Sequence, residues 1–550
     1  MIKGNINKND QSPAPNDFID RAVLKRAASG KELNTQAKTW AALHKACEGK
    51  DLYIYGLGNG ANFLFGCGEP LGNVSGMIDS DRFLCGKRAE ARFPILLGRD
   101  IGYVKIYPPG IIDSLKPDRS VFLITTTLFA EELIETLRGK GFTCIFSLME
   151  LEHSLRLEGK YRTGSENVSP DLKNLRIERP IEQKKIIFQS SGKYSEHGKY
   201  ITEELIKIRP DLDIVWMVDN KDCDVPDGVR ISDIRDEWSY RYELETAHVW
   251  VAATALRTPD IKKRDGQYYV QTKHWGSVTL KRFYLDAETL YDISDNISWW
   301  KKDFQKIDYI ITGSDFDTES CRKGFDFSGT VLQTGSARTD AMFNTRHWRE
   351  SIRRSFGVDQ DTRLLLYAPT YRYAKEKGRL VEKQIIRGLD LDFARIRQAA
   401  EKRFGGNWLI MLRLHPGVID NCPGYELPEG VLDASLYPDG EELCAACYAM
   451  ISDYSSIMFE PAIAGIPVFL FAPDREEYID TEYDLLIKYD ELPFDIASDN
   501  AELAANICGF DEEEYDGKLR AFFKQYGVHE DGHASERAAK AISDLLDRQG

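Results

Sequence analysis

Positive charge is in deficit along these 550 residues: 72 lysines and arginines face 88 aspartates and glutamates, a net charge of −16. Such a field repels phosphate backbones, so nucleic acid is not an expected partner, and any polyanionic ligand would have to be met by a local basic pocket. Long apolar runs are also missing. No stretch approaches the ~18 residues that a membrane-spanning helix needs, and the opening "MIKGNINKNDQSPAPNDF" lacks the apolar core of a secretory signal, so a cytoplasmic protein is expected. Cysteine is sparse, ten residues scattered singly except for Cys444 and Cys447 in "EELCAACYAMISD". That C-x-x-C has no second pair to complete a zinc site and reads as helix packing. No metal and no cofactor are expected, and the unpaired spread suits a reducing compartment.

What is present is ordinary for folded proteins: 42% hydrophobic, 29% charged and 11% aromatic residues. At about 150 residues per domain the length accommodates three or four domains. Residues 1–36, with Pro13 and Pro15 among Ser, Asn and Asp, read as a flexible tail. From 37 to 157, apolar runs such as "DLYIYG" and "SVFLITTT" alternate with the helical pattern "AEELIETLRGKG", which predicts a Rossmann-like parallel sheet. A charged linker spans 158–183. The same rhythm restarts over 184–340, with "KKIIFQSS", "DIVWMV", "VWVAAT", "QYYVQT" and "DYIITG". It restarts again over 341–550, with "RLLLYAPT", "WLIMLRLHP", "YAMISDYSS" and "PVFLFAP". An α/β protein is expected, its last two domains facing one another across a cleft, because ligands of such sheets bind beyond the carboxyl ends of the strands.

The chemistry-bearing residues fall at those ends. "ISDYSSIMFEPAIAGIP" stops a strand on Asp453-Tyr454-Ser455-Ser456 and turns into a helix, offering hydroxyls and free N–H groups to an anion. Glu460, one turn on, is placed to accept hydrogen bonds from a ribose. "YAPTYR" ends on Thr370 and Arg372, and "LRLHP" on Arg413 and His415, donors suited to a pyrophosphate. In the preceding domain, "QTKHWGSVTLK" presents His274, suited to general base work, and Lys281, while "GSARTD" adds Arg338 and Asp340. Separately, "YGLGNGA" followed by Asp79 matches a dinucleotide fingerprint at Gly56, Gly58 and Ala61. The reading preferred for this first domain is nevertheless that of an appended scaffold.

The order "KKIIFQSSGKYSEHGKYITEEL", "QTKHWGSVTLK", "GSARTD", "YAPTYR", "RLHP", "DYSSIMFE" and "DGHASERAAKAI" resembles the CDP-glycerol glycerophosphotransferases, polymerases of teichoic acids and related capsules. The resemblance covers roughly residues 184 to 548. It implies a GT-B architecture and transfer of an alditol phosphate from CDP-glycerol or CDP-ribitol to a hydroxyl of a polymeric or lipid-linked acceptor, with CMP released. A lipid-linked acceptor would bring the protein to the inner face of the membrane. The resemblance makes His274 and His415 the two essential histidines and Ser455-Ser456 the donor-phosphate site. The family motif Gln-Thr-Trp-His-Gly-Thr-Pro-Leu-Lys is altered here: Lys273 replaces the Trp, Trp275 follows the His, and Leu280-Lys281 arrive two residues late. Because "EPAIAGIPV" also resembles the ribose-binding segment of GT-B sugar transferases, a nucleotide-sugar glycosyltransferase is the alternative reading.

Overall fold

A computed structural model describes residues 39–66, 71–126, 129–148, 150–151, 179–257, 260–286, 294–370, 372–376, 379–383, 390–415, 427–481 and 485–548. The expected tail and most of the expected linker lie outside them. The chain forms two compact units, one of Met1–Pro180 with Arg230–Thr246, the other of Ile181–Val229 with Ala247–Gly550.

The first unit holds strands β1 (Asp51–Tyr55), β2 (Val74–Ile78), β3 (Ile106–Tyr107), β4 (Ser120–Ile124) and β5 (Ile145–Ser147). They form a parallel sheet in the order β3-β2-β1-β4-β5, the doubly wound pattern expected from the alternating runs. Gly56 turns the chain out of β1 at φ +93°, where a β-carbon would also press on Thr126. Asp79, the acidic residue of the dinucleotide-like fingerprint, is engaged with backbone. One carboxylate oxygen accepts from Leu57 N at 2.6 Å and the other from Asp81 N at 2.8 Å, so the carboxylate ties the loop to the end of β2. Gly58 stands in open space.

The inclusion of Arg230–Thr246 in this unit departs from the expected assignment of 184–340 to one domain. Its physical cause is the helix Glu237–Thr246, which buries Trp238, Tyr240, Tyr242 and Leu244. Trp238 Nε1 donates to the Glu90 carbonyl at 2.7 Å, Ser239 Oγ to the Ala91 carbonyl at 2.9 Å, and Tyr242 Oη to Glu90 Oε1 at 2.8 Å. Arg179 closes a bidentate pair on the same fully buried Glu90 carboxylate. A buried charge is tolerable only when satisfied in this way.

Strand β8 (Val229–Asp233) passes along the chain from one unit to the other. The second unit contains two parallel sheets. In its first half, β6 (Glu182–Gln189), β7 (Asp213–Val218), β9 (Ala247–Ala252), β10 (Tyr268–Gln271), β11 (Tyr309–Ile311) and β12 (Thr330–Leu332) lie in the order β12-β11-β10-β9-β6-β7. After β13 (Thr362–Tyr367) comes an antiparallel hairpin of β14 (Arg372–Glu376) and β15 (Arg379–Lys383), which the repeating pattern did not foretell. The second half continues with β16 (Asn407–Leu412), β17 (Val431–Asp433), β18 (Ala449–Ser452), β19 (Val468–Phe471) and β20 (Asp495–Ala497), in the order β17-β16-β13-β18-β19-β20. Strands such as β9 and β18 are buried at every position, which is why their sequences read as unbroken apolar runs.

The chain then returns to its first half. The last helix, Ala534–Leu546, buries Ala538, Ala539, Ile542 and Leu545 and packs on the helix Glu196–Ile208. Two α/β halves with a final crossover constitute the GT-B architecture. Asp340, a candidate site residue, serves this crossover: its carboxylate accepts from Ala534 N at 3.0 Å and Ser535 N at 2.7 Å, satisfying the first N–H groups of the last helix. It is a cap and has no place in the cleft. No helix of the described residues is long and apolar enough to cross a membrane.

Candidate active site

Four polar residues stand at one topological station. Thr370 lies three residues past β13, His415 three past β16, Ser455 three past β18, and His274 three past β10. All four line one cavity of about 730 Å³ within the second unit, walled by both of its halves. Lys193, Glu196, Lys281, Arg338, Arg413, Ser456 and Glu460 line it too. This volume suits a ligand of nucleotide size.

His274 rides on a loop held from beneath. Lys273 sits at φ +58° with its ammonium wholly buried. Each of its three N–H donors has a partner: the carbonyls of Trp275 at 3.1 Å and Gly276 at 3.0 Å, and Asp317 at 3.1 Å. Trp275 is turned inward as well, its indole donating to Asp317 Oδ1 at 2.9 Å. The altered motif therefore places both substituted residues in the interior and leaves His274 at the cavity wall. Arg338 donates to the His274 carbonyl at 2.8 Å, and His197, buried and kept neutral, donates through Nε2 to the Trp275 carbonyl at 2.8 Å. Three successive carbonyls, 274 to 276, thus have buried donors.

Arg338 also anchors the far wall. Its guanidinium pairs with Glu441 and, at 3.3 Å, with Glu460. Glu460 accepts in addition from Gly276 N, and so closely that a β-carbon at Gly276 would fall 2.5 Å from Glu460 Oε1. Glu460 Oε2 is buried, without a hydrogen-bond partner among the described residues. One oxygen of the expected ribose ligand is thus committed and the other remains available. Lys199, paired with Asp439 at 2.9 Å and with Glu442, joins the two halves behind this wall.

Both histidines open onto the cavity, yet the surrounding protein disfavours their charged forms. His274 is pushed down to about 4 by desolvation, then by Arg338, Lys273 and His415. His415 is pushed down to about 4 by desolvation, then by Lys281, Arg413 and Lys193. Each ring is therefore neutral near pH 7, with one nitrogen to accept and one N–H to donate. Arg413, whose Nη1 donates to the carbonyls of Tyr437 at 2.9 Å and Ala434 at 3.3 Å, stands beside His415. Lys281 lies over the Tyr478 ring at 5.2 Å. Ser455 caps its helix through Ile457 N, and Ser456 Oγ accepts from Leu280 N of the opposite half at 3.0 Å.

Arg372 does not join them. Its guanidinium is clamped between Asp453 and Asp474, each at 2.8 Å, and stacked on Tyr454 and Tyr478. Asp453 also takes the amide of Thr370 at 2.9 Å. Arg372 and Asp453 are a buried strut that fixes the loops after β13 and β18. With two carboxylates already on it, the guanidinium is no donor-phosphate ligand. Lys193, Glu196, His197 and Glu441 were not singled out from the sequence, although the first three sit in the quoted "GKYSEHGKY". Cys444 and Cys447 are both buried, and among the described residues no cluster of three or more His, Cys, Asp or Glu could hold a metal ion.

Comparison with known proteins gives this geometry its relatives. A teichoic acid poly(glycerol phosphate) polymerase of Staphylococcus epidermidis is 30% identical over 386 residues, covering 66% of this chain and 51% of that protein. A teichoic acid glycerol-phosphate transferase of Staphylococcus aureus is 26% identical over 383 residues, 66% of this chain and 94% of that one. Among solved structures, the wall teichoic acid polymerase TagF is similar with a TM-score of 0.57 at 25% identity, over 66% of this chain and 90% of that one. The chain spans about half the length of the curated poly(glycerol phosphate) polymerases of Staphylococcus epidermidis and Bacillus subtilis that it matches. The model of the CDP-glycerol:poly(glycerophosphate) glycerophosphotransferase family matches residues 172–544, a span that takes in both walls of the cavity and both histidines, and the chain belongs to that family.

Proposed function

We propose that this chain transfers glycerol phosphate or ribitol phosphate from its CDP-activated form to a hydroxyl of a growing teichoic-acid-like or capsular polymer, releasing CMP. The observation that carries this reading is the pair of histidines, one from each half, on a single cavity with Lys193, Lys281 and Arg413 gathered about the second.

In this mechanism His274 takes the proton of the acceptor hydroxyl as that oxygen bonds to the β-phosphorus of the donor. The bond from phosphorus to the oxygen of CMP breaks, and the electron pair leaves with CMP. His415 donates its N–H to a pyrophosphate oxygen, while Lys193, Lys281, Arg413 and the amides at Ser455-Ser456 offset the charge gathering on the leaving group. Thr370, on the same wall, gives its hydroxyl proton to Asp453 at 2.6 Å, so it can only accept, from a hydroxyl of the donor. Glu460 Oε2 receives a ribose hydroxyl, which would fill the one acceptor left open on that carboxylate. No cofactor takes part. Where the acceptor is lipid-linked, the chain would work at the inner face of the membrane as a peripheral protein.

The test is nucleotide release. The full chain is incubated with a glycerol-phosphate oligomer and, in turn, CDP-glycerol, CDP-ribitol and a UDP-hexose. CMP released from a CDP-alditol with matching growth of the oligomer is the expected result. UDP release alone would contradict the proposal and favour the sugar-transferase alternative.

A further inference from the structure

The wall beside His274 is aromatic. Tyr284 meets the His274 ring edge-on at 6.5 Å between centroids, Trp300 meets Tyr284 at 5.1 Å, and Phe283 meets Tyr284 at 5.8 Å. All three rings line the cavity and all three are half-buried; Phe283 also packs on Trp275 at 4.1 Å, and Tyr284 on Phe304 at 5.0 Å and Phe325 at 5.1 Å. Tyr284 is held at φ +49°, a conformation bulky side chains seldom adopt and one that persists only where the surroundings impose it.

Charge is distributed in the opposite sense. Lys193, Lys281 and Arg413 surround His415. The cations that bear on His274 are Arg338 and Lys273, and both are already paired, with Glu441 and Glu460 and with Asp317. Arg282, next to the aromatic wall, is paired with Asp286 at 3.0 Å. Phosphate-binding charge thus lies on the donor side, and flat apolar surface lies where the attacking hydroxyl must approach. A bare polyol phosphate has no apolar face to set on such a wall. A pyranose ring has one: its axial C–H groups form a patch that stacks on aromatic rings while its hydroxyls remain at the rim. The cytosine does not compete for this place, because the base lies at the far end of the pyrophosphate from the reacting phosphorus.

We infer that Phe283, Tyr284 and Trp300 form an acceptor subsite for a pyranose ring, so that the polymer end presented to His274 is a sugar-terminated alditol phosphate. This inference rests on the proposed transfer reaction and names its acceptor. It also gives the altered motif around His274 a use, since the loop carrying the swapped Lys273 and Trp275 continues directly into Phe283 and Tyr284.

The test compares a glycerol-phosphate trimer with the same trimer ended by a glucopyranosyl, galactopyranosyl or N-acetylglucosaminyl residue, using whichever CDP-alditol the chain accepts. At least one pyranosyl end is expected to lower the acceptor KM about tenfold, in line with the strength of stacking on an aromatic side chain. Trp300→Ala should remove that advantage with donor KM unchanged, and Trp300→Phe should retain most of it. Saturation-transfer NMR, which needs no turnover, should show contact from the protein to the pyranosyl C–H groups that is lost in Trp300→Ala. Equal KM values for all four acceptors, or ring contacts that persist in Trp300→Ala, would overturn the subsite. If CMP release fails with every acceptor while the ring contacts are present and Trp300-dependent, the transfer reaction falls and the subsite stands.

Discussion

At the scale of single residues, neutrality of the two histidines is the feature that matters for chemistry. In the proposed reaction His274 must be unprotonated to accept; desolvation and nearby cations keep it so, and the same shift makes it a weaker base. In an NMR titration of the free protein, both the His274 and His415 rings should therefore take up a proton near pH 4, well below the usual 6.5. With CDP-glycerol bound, the donor phosphates offset Lys281, Arg413 and Lys193, so the His415 midpoint should rise. A midpoint near 6.5 for His274 in the free protein would show that desolvation and the nearby cations do not bear on its ring. Arg372 illustrates how a residue can be legible in type and misread in use. Its position at a strand end suggested a phosphate ligand, but the partner that claims it, Asp474, is 102 residues away in sequence. Arg372→Ala should leave two buried carboxylates without their cation and destabilise the fold by about 3–5 kcal/mol in urea denaturation. If stability were unchanged and donor KM rose, Arg372 would return to the binding site.

At the scale of elements, the stations three residues past the ends of β10, β13, β16 and β18 were readable because buried parallel strands are near-continuous apolar runs, and polar residues following them mark the carboxyl edge. The network beneath the His274 loop was not readable. His197, Lys273, Arg338, Glu441 and Glu460 converge from five segments, and no periodicity or spacing connects them. The close approach at Gly276 is the sharpest test of this network. Gly276→Ala would drive a methyl group against the Glu460 carboxylate, which Arg338 and the Gly276 amide hold in place. A loss of about 1–3 kcal/mol in stability is expected from such overpacking. Turnover should also fall, because the loop that aims His274 is displaced. Wild-type turnover and stability in Gly276→Ala would show that the loop tolerates movement and that its hydrogen bonds do not aim the ring.

At the scale of the whole molecule, the catalytic candidates His274 and His415 lie in the unit that begins at Ile181, and the family match covers residues 172–544. Read from the sequence as an appended scaffold, the amino-terminal domain would be dispensable, and a fragment beginning near Ile181 would be soluble and measurably active. The structure changes that expectation. The excursion Arg230–Thr246 buries Trp238 and Tyr242 against Ala91 and Glu90, so a fragment starting at Ile181 would expose two large aromatic side chains. Such a fragment should aggregate in size-exclusion chromatography, whereas one that also carries Trp238→Ser and Tyr242→Ser should be more soluble and keep measurable CMP release. If the first fragment is as soluble as the full chain, the excursion contributes nothing to its stability. The alternation of strands and helices was legible because each α/β segment is local; the excursion was not, because its partners lie 148 and 152 residues away. In the proposed reaction a histidine from each half of the second unit acts on one CDP-alditol. The most direct measurement is steady-state CMP release from CDP-glycerol by the full chain and by its His274→Ala and His415→Ala variants, with donor affinity determined in parallel. His274→Ala should lose about 10²–10⁴ in turnover with donor affinity nearly unchanged, and His415→Ala should lose turnover and bind donor more weakly. Residual turnover above about a tenth of wild type in His274→Ala, in a variant that still folds and binds donor, would contradict the claim.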